Sequence, residues 1–189
     1  MCFSFEVSLA TFIISWTISL YLLNKDLNTH QRNNVIFLLI FSSIQLADSI
    51  LWYINMKKNS LNYFVTSFVI PTILSLQILH NIYIRNNNKN IFIDIFSIFF
   101  CIYLFYKLNG YSIAVCENKF SSPVWGSNEI KLWEILIFCT LITWPAWDMF
   151  LYQMFILVPF IYIFANGAYG SLWCFFANIT AFFCLYHYS

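Results

Sequence analysis

Residues 34–56 read NVIFLLIFSSIQLADSILWYINM, 23 positions in which the only charged side chain is Asp48. As an α-helix this stretch is roughly 34 Å long, enough to cross the ~30 Å hydrocarbon core of a bilayer. Similar runs flank it at 5–23, 61–84 and 90–106. Short polar connectors separate them: Asn24-Lys25-Asp26-Leu27-Asn28, Lys57-Lys58-Asn59-Ser60 and Arg85-Asn86-Asn87-Asn88-Lys89. Connectors this short predict antiparallel neighbouring helices. Pro71, near the middle of its run, predicts a kink.

Residues 107–130 form the one long connector, with Gly110, Cys116, Pro123, Gly126 and four charges. It is expected to be a solvent-facing lid or loop. Beyond it, 131–164 would make one helix of roughly 51 Å, too long for a single crossing. A turn at Trp144-Pro145-Ala146-Trp147-Asp148 divides it into spans 131–146 and 149–165. The alternative makes 131–143 an interfacial or re-entrant helix and leaves six spans. The last span, 169–187, follows Asn166-Gly167-Ala168. The expected fold is an all-α polytopic transmembrane bundle, seven spans favoured, forming a single membrane domain over 1–189.

Composition agrees with that solvent. Charged residues are 9% of the 189, hydrophobic residues 61% and aromatic residues 22%, where an average soluble domain has about 25% charged. Nine basic and eight acidic side chains cannot cover the surface of a small soluble domain. An AT-rich genome would also enrich Phe, Ile, Asn, Tyr and Lys, so the grouping into runs carries the argument. A net charge of +1 with scattered cations excludes nucleic acid as a partner. Counting Lys and Arg by loop gives five on one side and four on the other, which favours neither orientation.

The start, Met1-Cys2-Phe3-Ser4-Phe5-Glu6, has no basic n-region and no small-x-small site after its first run, so that run is expected to be a retained span. Cys2, Cys101, Cys116, Cys139, Cys174 and Cys184 show no C-x-x-C and no regular spacing. Buried, inert thiols are expected, with no metal and no cofactor.

Ionisable groups inside a span are costly and draw attention. Asp48 leads, with Gln45 and Trp52 on its face at i−3 and i+4. As a functional group it would carry a proton, bind a cation or act in catalysis. As a structural group it would be protonated and hydrogen-bonded to a neighbouring helix. His80 lies roughly 16 Å away from it in depth, so its expected partner is Asp94, in a structural pair. Alternating helix direction brings Cys2, Glu6, Asp48, Trp52, Trp173 and Cys174 to one end, beneath the long loop. That convergence is the candidate pocket.

Other chemistry is missing its residues. A retinal Schiff base needs a lysine in a span, and none follows Lys131. A zinc hydrolase needs three protein ligands, and the last span offers only His187, at its end. No G-x-S-x-G supports Ser-His-Asp catalysis. The Asn178-Ile179-Thr180 sequon lies too deep in a span to be used.

Three stretches carry a resemblance: Met1-Cys2-Phe3-Ser4, Gln45-Leu46-Ala47-Asp48-Ser49-Ile50-Leu51-Trp52 and Gly170-Ser171-Leu172-Trp173-Cys174-Phe175-Phe176-Ala177. They resemble a family of small polytopic membrane proteins of unknown function, found in bacteria and in some large DNA viruses. Its members begin Met-Cys-Phe/Trp-Ser, carry Gln-x-x-Glu-Gly-x-x-Trp in the second span, and have a Trp-Cys element near the C-terminus. Here Asp48 stands for the Glu and Ser49 for the Gly, which keeps the acid and shortens its reach by one methylene. The resemblance covers 20 of 189 residues. It implies a membrane location and points to Cys2, Gln45, Asp48, Trp52, Trp173 and Cys174, and it implies no activity. Asn-rich, AT-biased loops would suit a viral genome.

Three functional readings follow. The first is a multi-pass protein holding a small ligand, ion or lipid head group near Asp48. The second is a membrane enzyme using Asp48 as acid or base, or Cys174 as nucleophile, although no adjacent cation lowers that thiol's pKa. The third is a structural bundle partnering another membrane protein or a second copy of itself.

Overall fold

The computed structural model describes residues 4–85, 90–114, 123–126, 130–145 and 169–189, and for 169–177 the backbone alone. The described residues form six helices and one small hairpin: α1 Phe5–Leu23, α2 Thr29–Tyr53, α3 Ser60–Ile84, α4 Ile91–Lys107, β1 Ile113–Ala114, β2 Pro123–Val124, α5 Leu132–Thr143 and α6 Tyr169–Tyr188. The expected span 149–165 lies outside them.

Asparagine and serine in the connectors set where helices begin. Ser4 accepts from the Val7 N–H at 3.4 Å, Asn59 from Asn62 at 2.8 Å and Asn90 from Phe92 at 3.1 Å. Each satisfies an N–H that the first turn leaves without a partner. At α2 the cap is reciprocal: Asn28 accepts from Gln31 N–H at 2.9 Å while the Gln31 side chain accepts from Asn28 N–H at 3.1 Å. This capping box starts α2 at Thr29, ahead of the apolar run expected from residue 34. The helix also stops early, because Asn55 and Met56 turn the chain with φ of 52° and 50°.

The kink expected at Pro71 is absorbed just before it. Residues Val65–Val69 form a π-helical turn, which loosens the helix where the proline ring would strike the carbonyl of Ser67 and where its own N–H is missing.

α1 is turned inside out relative to a soluble helix. Ser8, Thr11, Ser15 and Ser19 are buried while Val7, Ile13, Ile14 and Leu20 are exposed. Water would favour the opposite arrangement. Between helices in lipid, small side chains allow close backbone approach and packing holds the pair together. α1 accordingly lies along α2, whose buried face carries Ser42, Ala47 and Ser49. α4 repeats the pattern, burying Ser97 while Phe92 is 81% and Phe99 66% exposed. Among the described residues three helices, α1, α2 and α3, are long and apolar enough to cross a membrane.

Side-chain contacts fix the direction of each helix. The rings of Phe5 and Tyr53 lie 5.8 Å apart and those of Phe37 and His80 6.1 Å apart, so α1, α2 and α3 alternate. Arg85 at the end of α3 pairs with Asp94 in the first turn of α4 at 2.8 Å. Asn81 donates to Leu141 O at 2.7 Å and to Trp144 O at 2.9 Å. The last turn of α5 therefore reaches the Arg85 end of α3. α6 runs parallel to α1: Ser15 donates to Asn178 at 2.8 Å, and Asn34, in the first half of α2, donates to Tyr188 at 3.0 Å. The 53–60 connection, the hairpin and the start of α6 thus share one end of the bundle, the loop end.

α5 is shorter than the expected span 131–146. Its 12 residues give roughly 18 Å, and the helix ends at Thr143, at the predicted Trp144-Pro145 break. Within the long connector the described residues form a two-stranded sheet. β1 and β2 pair antiparallel, Ile113 with Val124 and Ala114 with Pro123.

Candidate functional site beneath the loop

Asp48 occupies the loop-end half of α2 and is fully buried, at 0% exposure. A carboxylate there loses hydration and must find donors. One is supplied by the long connector: Trp125 Nε1 donates to Asp48 Oδ1 at 2.9 Å. Trp125 itself is buried. The residue after it explains how the connector enters. Gly126 has φ +80°, and a Cβ on it would stand 2.9 Å from Leu108 Cα. Only glycine lets the backbone pass so close to the end of α4.

The connector is anchored again at the start of α3. The buried Asn62 amide donates to Met56 O at 3.1 Å, Lys57 O at 3.2 Å and Ser112 O at 3.0 Å. Its carbonyl accepts from Ser112 N–H at 2.8 Å and from Thr66 Oγ1 at 3.0 Å. Ser67 accepts from Gly110 N–H at 2.9 Å. Asn62 lies just before the π-helical stretch of α3 and Thr66 and Ser67 within it, so the loop anchor extends into the widened turn.

A buried ion pair holds the other side of the same end. Lys107 Nζ lies 2.9 Å from Glu134 Oε1. Glu134 also accepts from the Tyr103 hydroxyl and the Lys131 N–H. Both charged side chains are almost covered, 11% and 5% exposed, so α4 and α5 are coupled by a desolvated, multiply bonded carboxylate.

Of the residues expected in the pocket, Gln45 and Asp48 are both buried on α2. Trp52, one turn on, has an indole N–H hidden from solvent with no protein partner. Glu6 is at the same end, yet its side chain is exposed, so it faces away from Asp48. Cys2 lies outside the described residues. Trp173 and Cys174 belong to the loop-end half of α6, where only the backbone is described.

The expected His80–Asp94 pair does not form. Asp94 takes Arg85, a charged donor at the end of α3 with a longer reach, whose Nε also donates to Asn81 O at 3.3 Å. His80 rests against Phe37 instead. Cys101, Cys139 and Cys184 are buried free thiols.

Sequence reasoning missed Trp125 and the Lys107–Glu134 pair. The signal for the first was Pro123-Val124-Trp125-Gly126, a large apolar side chain beside a turn-forming glycine within a polar connector. For the second there was none, because both residues sit at helix ends where charge is ordinary.

No protein-family model, curated protein or solved structure matches the chain.

Proposed function

We propose that the chain is a seven-pass integral membrane protein that holds a small ligand, ion or lipid head group around Asp48, beneath connector residues 108–114 and 123–126. The observation carrying this reading is the Asp48–Trp125 bond. A fully buried carboxylate is reached by a side chain from a connector and not from an apolar helix, so access to the acid depends on that connector. The hidden Trp52 N–H beside it is a donor for an incoming acceptor.

The seven crossings are supported by helix direction. α6 runs parallel to α1, so the last crossing is odd-numbered, whereas six crossings would make it antiparallel. The resemblance carried by Met1–Ser4, Gln45–Trp52 and Gly170–Ala177 belongs to the same proposal and points to the same end of the bundle.

The structural reading has its own observation, the pinning of the connector by Asn62, Ser67 and Asp48. Native mass spectrometry of the chain released from its own membranes separates the two. The binding reading expects a non-protein mass on the wild type that is lost in an Asp48→Asn variant that still folds. A bare wild type, with Asp48→Asn altering stability alone, supports the structural reading and removes the other.

A further inference from the structure

A second set of polar atoms, away from Asp48, has no protein partners. Gln77 of α3 is fully buried, and neither its amide oxygen nor its amide nitrogen meets a hydrogen-bonding group. Three residues on, both ring nitrogens of His80 are hidden and equally without partners. Positions i and i+3 are neighbours on a helix surface, so the two side chains share one flank. Backbone carbonyls are not scarce there: the adjacent Asn81 amide reaches two. A buried amide left unmatched is expensive, more so in lipid, where no water compensates it.

The chemistry of the pair selects its occupant. A primary amide offers two donors and an acceptor, and a neutral imidazole offers one of each. Among the described residues at that end of α3, Arg85 and Asp94 neutralise each other. At the end of α3, Arg85 Nη1 is also hidden without a partner. His80 is half-buried beside the exposed Leu76 and Leu79, so the flank lies next to the outer face of the bundle. Phe37, which His80 touches, lies 11 residues from Asp48 on α2, roughly 16 Å along the helix. The two sites are separate.

We infer that Gln77 and His80 form a second binding site, for an uncharged molecule presenting a hydroxyl next to a second oxygen. Glycerolipids and free polyols share that chemistry, and the test distinguishes them. The full chain is placed in nanodiscs of ether-linked phosphatidylcholine, which lacks hydroxyl and ester groups. Thermal unfolding is followed with dioleoylglycerol added to the bilayer, or with glycerol added to the buffer. A saturable rise of about 2–4 °C in the wild type, lost in Gln77→Leu and in His80→Phe, is expected from one probe. A response to dioleoylglycerol assigns a lipid occupant, and a response to glycerol an aqueous one. Should Gln77→Leu fail to fold, His80→Phe and the wild type decide alone. Absence of any shift in the wild type, or an equal shift in the variants, overturns the site.

Discussion

Ser15 of α1 donates a 2.8 Å hydrogen bond to Asn178 of α6, joining the first and last helices near their midpoints. Ser15 is buried at 0% exposure, and the helices it joins run in the same direction. That single contact links a composition argument to a topology argument. In the proposed fold a hydroxyl faces inward because lipid takes the apolar face, and its partner comes from the odd-numbered last crossing.

Parallel first and last crossings place residues 4 and 189 at opposite ends of the bundle. Tags fused at each terminus should therefore be accessible from opposite sides of a sealed vesicle. Protease protection of the two tags checks this, and both being cleaved from one side would contradict seven crossings.

Trp125→Phe keeps the ring and removes the N–H that reaches Asp48. A buried acceptor left without this donor should cost about 1–3 kcal/mol. The melting temperature in detergent should fall, and cleavage within 108–126 should quicken because the connector loses an anchor. A melting temperature equal to wild type would show that the bond carries no stability.

Glu134→Gln should be the most damaging single change among the charged residues, because it strands Lys107 in a covered site. Breaking one partner of such a pair costs about 3–5 kcal/mol. Replacing both, with Lys107→Met and Glu134→Leu, should restore most of that loss, since two apolar side chains need no desolvation. Chemical unfolding of the single and double variants gives the comparison.

Much of the helical layout was legible in the sequence, because α1, α3, α4 and α6 have ends close to those of their apolar runs. The start of α2 was not, since Thr29-His30-Gln31-Arg32-Asn33 is polar and only the Asn28–Gln31 capping box reveals it. The length of α5 was not either. The apolar run continues past Thr143, and the Trp144-Pro145 break marks a turn without saying how far in depth the helix has travelled. At the site, Asp48, Gln45 and Trp52 were readable from spacing on one helix. Trp125 and Glu134 depend on how connectors return to the bundle, and periodicity carries no information about that. His80 was assigned the wrong neighbour because depth arithmetic ignored the reach of Arg85, which sits one turn nearer Asp94.

The account rests on lipid being the solvent of the exposed faces of α1 and α4, where Ile13, Leu20, Phe92 and Phe99 point outward. Alkaline carbonate extraction of membranes containing the full chain measures this most directly. All of the chain should stay in the pelleted bilayer and leave it only with detergent. Recovery in the carbonate supernatant would contradict the membrane fold, and with it both proposed sites.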